Sequence, residues 1–123
     1  MKKSLLLCIL IAFVACSGYG EKVVYNATDV YYKDGVTKEQ ADKLGKYLVL
    51  SGIADGNRKS VQLIVDDITK LLTFKMVVDE TVLDDPEYDY IFKAFLKELS
   101  NEFDQSVDFH LCDNRLKTLK VLD

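Results

Sequence analysis

Asp108, His110 and Cys112 carry the side chains in this sequence best suited to chemistry. They alternate with Phe109 and Leu111, so a strand through this stretch puts all three on one face. Carboxylate, imidazole and thiolate are all metal ligands. A thiol beside an imidazole is also a nucleophilic pair, provided a third group orients the base. Same-face neighbours on a strand are about 6.6–7 Å apart at the backbone, so one metal ion would need a further ligand from another element. His110 is the only histidine in the chain, and no closely paired ligands of the structural-zinc kind accompany it. The competing account is a structural or partly exposed strand face. Asp108, His110 and Cys112 are thus a speculative site, and the sequence assigns no catalytic residue, metal ligand or cofactor.

Two other groups of residues invite a functional reading. Asp66-Asp67, Asp79-Glu80 and Asp84-Asp85 offer hard oxygen ligands of the type calcium prefers. None lies in a loop with the ligand spacing of a calcium-binding hand, and helix capping with solvated loop charge accounts for them better. The chain also holds seven tyrosines. Tyr31 and Tyr32 are adjacent on a strand-like stretch and must point to opposite faces, so one is available for recognition, which tyrosine suits. Both are candidate interaction residues.

The N-terminus reads as a targeting segment. Lys2 and Lys3 precede an apolar run, Leu5 to Ala15, too short to span a membrane. Phe13-Val14-Ala15-Cys16 resembles the processing motif of bacterial lipoproteins, in which a small residue precedes the cysteine that becomes the acylated N-terminus. On that reading residues 1–15 are a signal peptide, Cys16 carries palmitate-type acyl chains, and residues 16–22 are a short tether. The rival is plain secretion with cleavage near Ala15, Gly18 or Gly20. Ser17 fits lipoproteins that leave the inner membrane, which places the domain in the cell envelope at the outer membrane rather than free in the periplasm. Removing Lys2 and Lys3 from 16 basic residues leaves 14 against 20 acidic ones. That balance argues against nucleic acid, whose phosphates call for a basic patch. Cys112 is then the one cysteine within the domain apart from the anchor, so no disulfide framework can form there.

The elements that must position these residues follow from periodicity. Asp29–Tyr32 reads as a strand, possible to extend backwards through Val23–Tyr25 past a bulge at Asn26-Ala27. Thr37-Lys38-Glu39-Gln40 is a capping box opening a helix with Ala41, Leu44, Tyr47 and Leu48 on one face. Gly45 on that helix points to close approach of the sheet. Ser60–Val65 and Leu72–Val78 alternate and predict an antiparallel hairpin. Asp84 or Asp85 can cap a second helix with Pro86 in its first turn. Its stripe is Tyr88, Ile91, Phe92, Phe95, Leu96, Leu99 and Phe103. Val107–Cys112 and Leu116–Leu122 predict a final hairpin across Asp113-Asn114-Arg115. The resulting order, β-α-β-β-α-β-β, matches the split β-α-β plan. The expected fold class is α+β: a ferredoxin-like two-layer sandwich over 23–123, its antiparallel sheet covered on one face by two helices.

Val30-Tyr31-Tyr32, Leu44-Gly45-Lys46-Tyr47-Leu48, Lys59-Ser60-Val61-Gln62-Leu63, Asp84-Asp85-Pro86-Glu87-Tyr88 and Val107-Asp108-Phe109-His110-Leu111-Cys112-Asp113 together resemble a small bacterial domain family of uncharacterised function. The resemblance covers nearly all of the chain after the tether. It implies one recurring domain attached to exported or membrane-bound proteins, and no activity. The functional expectation is a noncatalytic lipoprotein module that binds membrane lipid through acylated Cys16 and a protein of the envelope. The alternatives are a small hydrolase or thiol enzyme using His110 and Cys112, and a purely structural envelope lipoprotein. No phosphate loop, nucleophile elbow or His-Glu-x-x-His motif favours an enzyme class.

Overall fold

Two edge-to-edge hairpin strands, β1 (Glu21–Tyr25) and β2 (Thr28–Tyr32), open the fold in a computed structural model that describes residues 18–122. The expected signal segment, Cys8 and the expected lipid acceptor Cys16 lie outside the described residues. Tyr25 pairs with Thr28, so Asn26 and Ala27 form a two-residue turn, with φ of 50° and 68°. Positive φ at both central residues is the hairpin geometry that matches strand twist. Asn26-Ala27 is therefore a turn between two strands, not a bulge within one.

Helix α1 (Lys38–Leu50) starts at the predicted box: Gln40 N–H donates to Thr37 Oγ1 at 3.1 Å, and Thr37 N–H donates to Gln40 Oε1 at 2.9 Å. Ala41, Leu44, Gly45 and Leu48 are its buried face. Strands β3 (Lys59–Val65) and β4 (Leu72–Val77) make the expected hairpin. Its turn is held by Asp66, whose Oδ1 accepts from the amides of Ile68 and Thr69, leaving Ile68 exposed at the tip. A short 3-10 turn (Glu80–Val82), capped by Asp79, leads to α2 (Pro86–Phe103). Asp85, rather than Asp84, caps α2 through Glu87 N–H at 2.9 Å. Asp104, with φ of 53°, ends it in the left-handed conformation. Strands β5 (Val107–Cys112) and β6 (Thr118–Leu122) form the last hairpin, whose turn is fixed by Asp113 Oδ1 accepting from Arg115 and Lys117 amides.

The sheet corrects the expected fold within its class. The domain is α+β, but the sheet has six strands in the sequential order β1 to β6 and is mixed. The pairs β2/β3 and β4/β5 are parallel, while β1/β2, β3/β4 and β5/β6 are antiparallel. A ferredoxin-like order would need β2 flanked by later strands. Here β1 takes one edge of β2 and β3 takes the other, so each helix links strands that are direct neighbours, and such a crossover makes them parallel.

Both helices cover the same face. Registers align Val30, Val61, Met76 and Leu111 in one row and Tyr32, Leu63, Phe74 and Phe109 in the next. These side chains meet α1 and α2 in one core. Its centre is aromatic: Phe109 lies 5.0 Å from Phe74, 5.6 Å from Phe92 and 5.8 Å from Phe95, between ring centroids. Since β2 and β4 run in opposite directions under helices on one face, the two crossovers have opposite hands. One of them is left-handed, a rare arrangement in parallel β-α-β units.

Candidate functional site

The helix-free side of the sheet carries Asp108, His110 and Cys112 together, as the alternation of β5 requires. Register places His110 in a row with Lys22, Tyr31, Gln62, Lys75 and Val121. The imidazole Nδ1 is 2.8 Å from Thr118 Oγ1, and the Cys112 thiol donates to the His110 carbonyl at 3.6 Å. The two reactive side chains thus bond to neighbours on β5 and β6. Cys112 is fully buried, and Gln62 and Thr73 on the same face are buried as well. Burial pushes the thiol up, against the opposing pull of Lys75, and pushes the imidazole down, against Asp108. An activated cysteine needs the opposite shifts, a thiolate held near a cation in an accessible position. Among the described residues no three His, Cys, Asp or Glu side chains come close enough to hold a metal ion.

The two candidate tyrosines separate as predicted. Tyr32 is buried under the helices, while Tyr31 lies half-buried on the helix-free face. Its ring is met edge-on by Tyr19, with centroids 5.4 Å apart, and Lys22 Nζ sits 5.8 Å above it. The acidic pairs serve as caps and turn anchors. A depression of mixed lining, about 640 Å³, lies beside the β3–β4 turn and includes Asp66, whose carboxylate already accepts two amides.

An apolar groove lies elsewhere, where sequence periodicity did not point. It is about 600 Å³, between the first half of α2, the end of β4 and the loop after α1. Ile53, Met76, Val78, Val82, Phe92 and Phe95 form its floor and walls. Tyr88 and Ile91 stand at its mouth, 43% and 50% exposed. Both belong to the apolar stripe of α2 and read as core, because a helical period reports a face and not how far the sheet extends beneath it. The first turn of α2 meets β6, with Asp89 3.8 Å from Lys120, while Tyr88 and Ile91 turn toward the gap bounded by the end of β4 and the loop after α1. The rim is mainly acidic: Asp55, Asp79 and Glu98 against Lys59. Lys59 Nζ is 2.6 Å from Asp55 Oδ1, and Glu98 accepts from the Tyr47 hydroxyl at 3.1 Å. The Lys59 ammonium and the Asn57 amide hold the Asp55 carboxyl down at about 2. Pockets of this size and apolar lining suit a ligand or a cluster of partner side chains.

The family model AF_1994_N, described as a family N-terminal domain, matches residues 22–123. The chain belongs to that family. AF_1994_N is a small domain family of unknown function, so membership supports the sequence resemblance and carries no catalytic residue with it. The match begins within β1. Comparison with curated proteins and with solved structures finds no match. No helix of the described residues is long and apolar enough to cross a membrane.

Proposed function

We propose that this domain is a noncatalytic binding module of an exported lipoprotein, held at the outer membrane by acylated Cys16, and that it docks an envelope protein in the groove beside α2. The observation that carries the reading is the half-exposed pair Tyr88 and Ile91 at the mouth of a largely apolar groove. Exposed aromatic and aliphatic side chains around a concavity are the usual makings of an interaction anchor. The rim adds a preference. Three carboxylates against one ammonium favour a partner segment that inserts apolar side chains and flanks them with Lys or Arg.

The test is site-specific photo-crosslinking in the native envelope, with the reactive group placed at Tyr88 or Ile91, and at Lys97 on the outer surface of α2 as control. A discrete adduct from the first two positions and none from Lys97 supports the reading. Equal labelling from all three, or none, rejects the groove as the docking surface and leaves the purely structural lipoprotein. The anchor is tested separately: lipid-precursor label in wild type that persists in Cys16→Ala rejects Cys16 as the acceptor.

A further inference from the structure

The first described residues run across the helix-free face of the sheet. The Tyr19 carbonyl accepts from Gln62 Nε2 at 2.9 Å, and the Tyr19 ring rests on Tyr31. Gln62 belongs to β3 and Tyr31 to β2, so the chain is pinned well inside the sheet edge formed by β1. From this geometry we infer that the helix-free face is the surface the domain turns toward the lipid bilayer, with α1, α2 and the apolar groove facing away. This rests on the acylated Cys16 of the preceding reading and adds an orientation to it.

Reach decides the matter. Tyr19 follows Cys16 by three positions, and three residues span at most about 10 Å when extended. A helix layer is itself about 10–12 Å thick, so an acyl-bearing residue 16 cannot pass around the domain to the helical side. The lipid therefore enters the bilayer within about 10 Å of Tyr19, on the side of the sheet that Tyr19 covers, and that side is the one nearest the headgroups. The face is composed for such a place. Val24 on β1 and Val121 on β6 project from it at opposite edges, 56% and 47% exposed. Tyr19 and Tyr31 lie between them, and tyrosine is at home at headgroup depth. Its charges nearly cancel: Lys22 lies 3.8 Å from Asp29, and Lys75 stands across from His110, next to Asp108. The tether therefore sets the orientation rather than attraction to anionic lipid, since such attraction requires a cluster of basic residues.

Fluorophores on Val24→Cys, Val121→Cys, Leu50→Cys and Tyr90→Cys in the full-length, membrane-extracted protein test the orientation after reconstitution into phosphatidylcholine vesicles carrying nitroxide lipid. Cys112 is buried and should not take the label. The lipid quencher should act several-fold more strongly at positions 24 and 121 than at 50 and 90, and aqueous iodide should rank them in reverse. Replacing a third of the lipid with phosphatidylglycerol should leave both rankings unchanged. Equal or inverted rankings on protein whose N-terminal peptide has the mass of the acylated form overturn the orientation and leave the anchor standing. Protein lacking the acyl mass overturns the anchor and the orientation together.

Discussion

The Tyr47 hydroxyl in α1 donates to the Glu98 carboxylate in α2 at 3.1 Å, joining two helices across 51 residues of sequence. The ring itself packs on Phe95, with centroids 5.7 Å apart. Burial, the Glu98 hydrogen bond, and the charges of Glu98 and Glu102 push the phenol up from its ordinary 10.0 to about 12. The folded state therefore favours the protonated ring. The associated stability is fully present below pH 10 and is lost as pH rises toward 12. A spectrophotometric phenolate titration should show a late step in the wild type that is missing in Tyr47→Phe. At neutral pH that variant should lose no more than about 1 kcal/mol, since Glu98 is exposed and rehydrates. A titration with no late step would reject the Tyr47–Glu98 contact.

Gly45 is buried on α1 directly under the Tyr25 ring, and a β-carbon there would collide with ring carbons. Helix propensity alone predicts that Gly45→Ala gains about 0.5–1 kcal/mol. Overpacking should win, with a net loss of about 1–3 kcal/mol, because a displaced Tyr25 also surrenders its 2.8 Å hydrogen bond to Asp42. Urea denaturation of Gly45→Ala, Tyr25→Ala and the double variant checks this. The alanine should be tolerated once the ring is gone, and additive losses would contradict the contact.

Ala27 holds a φ of 68° in the β1–β2 turn, a left-handed conformation that costs a side-chain-bearing residue about 1–2 kcal/mol. Ala27→Gly removes the strain and adds some unfolded-state entropy. A net gain of about 1 kcal/mol is expected, read as a higher denaturation midpoint at unchanged slope. A loss would mean that the turn is not of the proposed kind.

Two residues one turn apart on α2 should behave oppositely. Phe95 is buried against Phe74 and Phe109, and Phe95→Ala should cost about 3–5 kcal/mol. Ile91 is half exposed at the groove mouth, so Ile91→Asp should cost less than about 1 kcal/mol yet abolish the crosslinked adduct. If Ile91→Asp unfolds the domain, the residue is core and the groove reading falls.

What the sequence discloses here divides along a physical line. Thr37 with Gln40, Asp85 with Pro86 and the alternation of Val107–Cys112 are local signals, and each element starts or faces where they indicate. The side of the sheet that holds His110 was legible for the same reason. The sequence does not mark β1 as a separate strand, because its turn carries Ala27 where glycine would normally announce it. Sheet order escaped altogether: alternation assigns faces, but the choice of neighbour depends on which edges other strands have already taken. The groove escaped because the period of α2 marks Tyr88 and Ile91 as one apolar stripe with Phe92 and Phe95, and cannot tell that they border a gap rather than packed neighbours.

The crossovers of opposite hand decide whether the domain has internal symmetry. The chain repeats a cadence, two strands and a helix, then two strands and a helix, then two strands. Tandem duplication would relate the copies by a rotation, and rotation preserves hand. Any rotation that carries β2 onto the oppositely directed β4, keeping the order of strands, also carries α1 to the far side of the sheet. Since α2 stays on the side of α1, the second unit is not a rotated copy of the first, and the cadence is not a symmetric repeat in three dimensions.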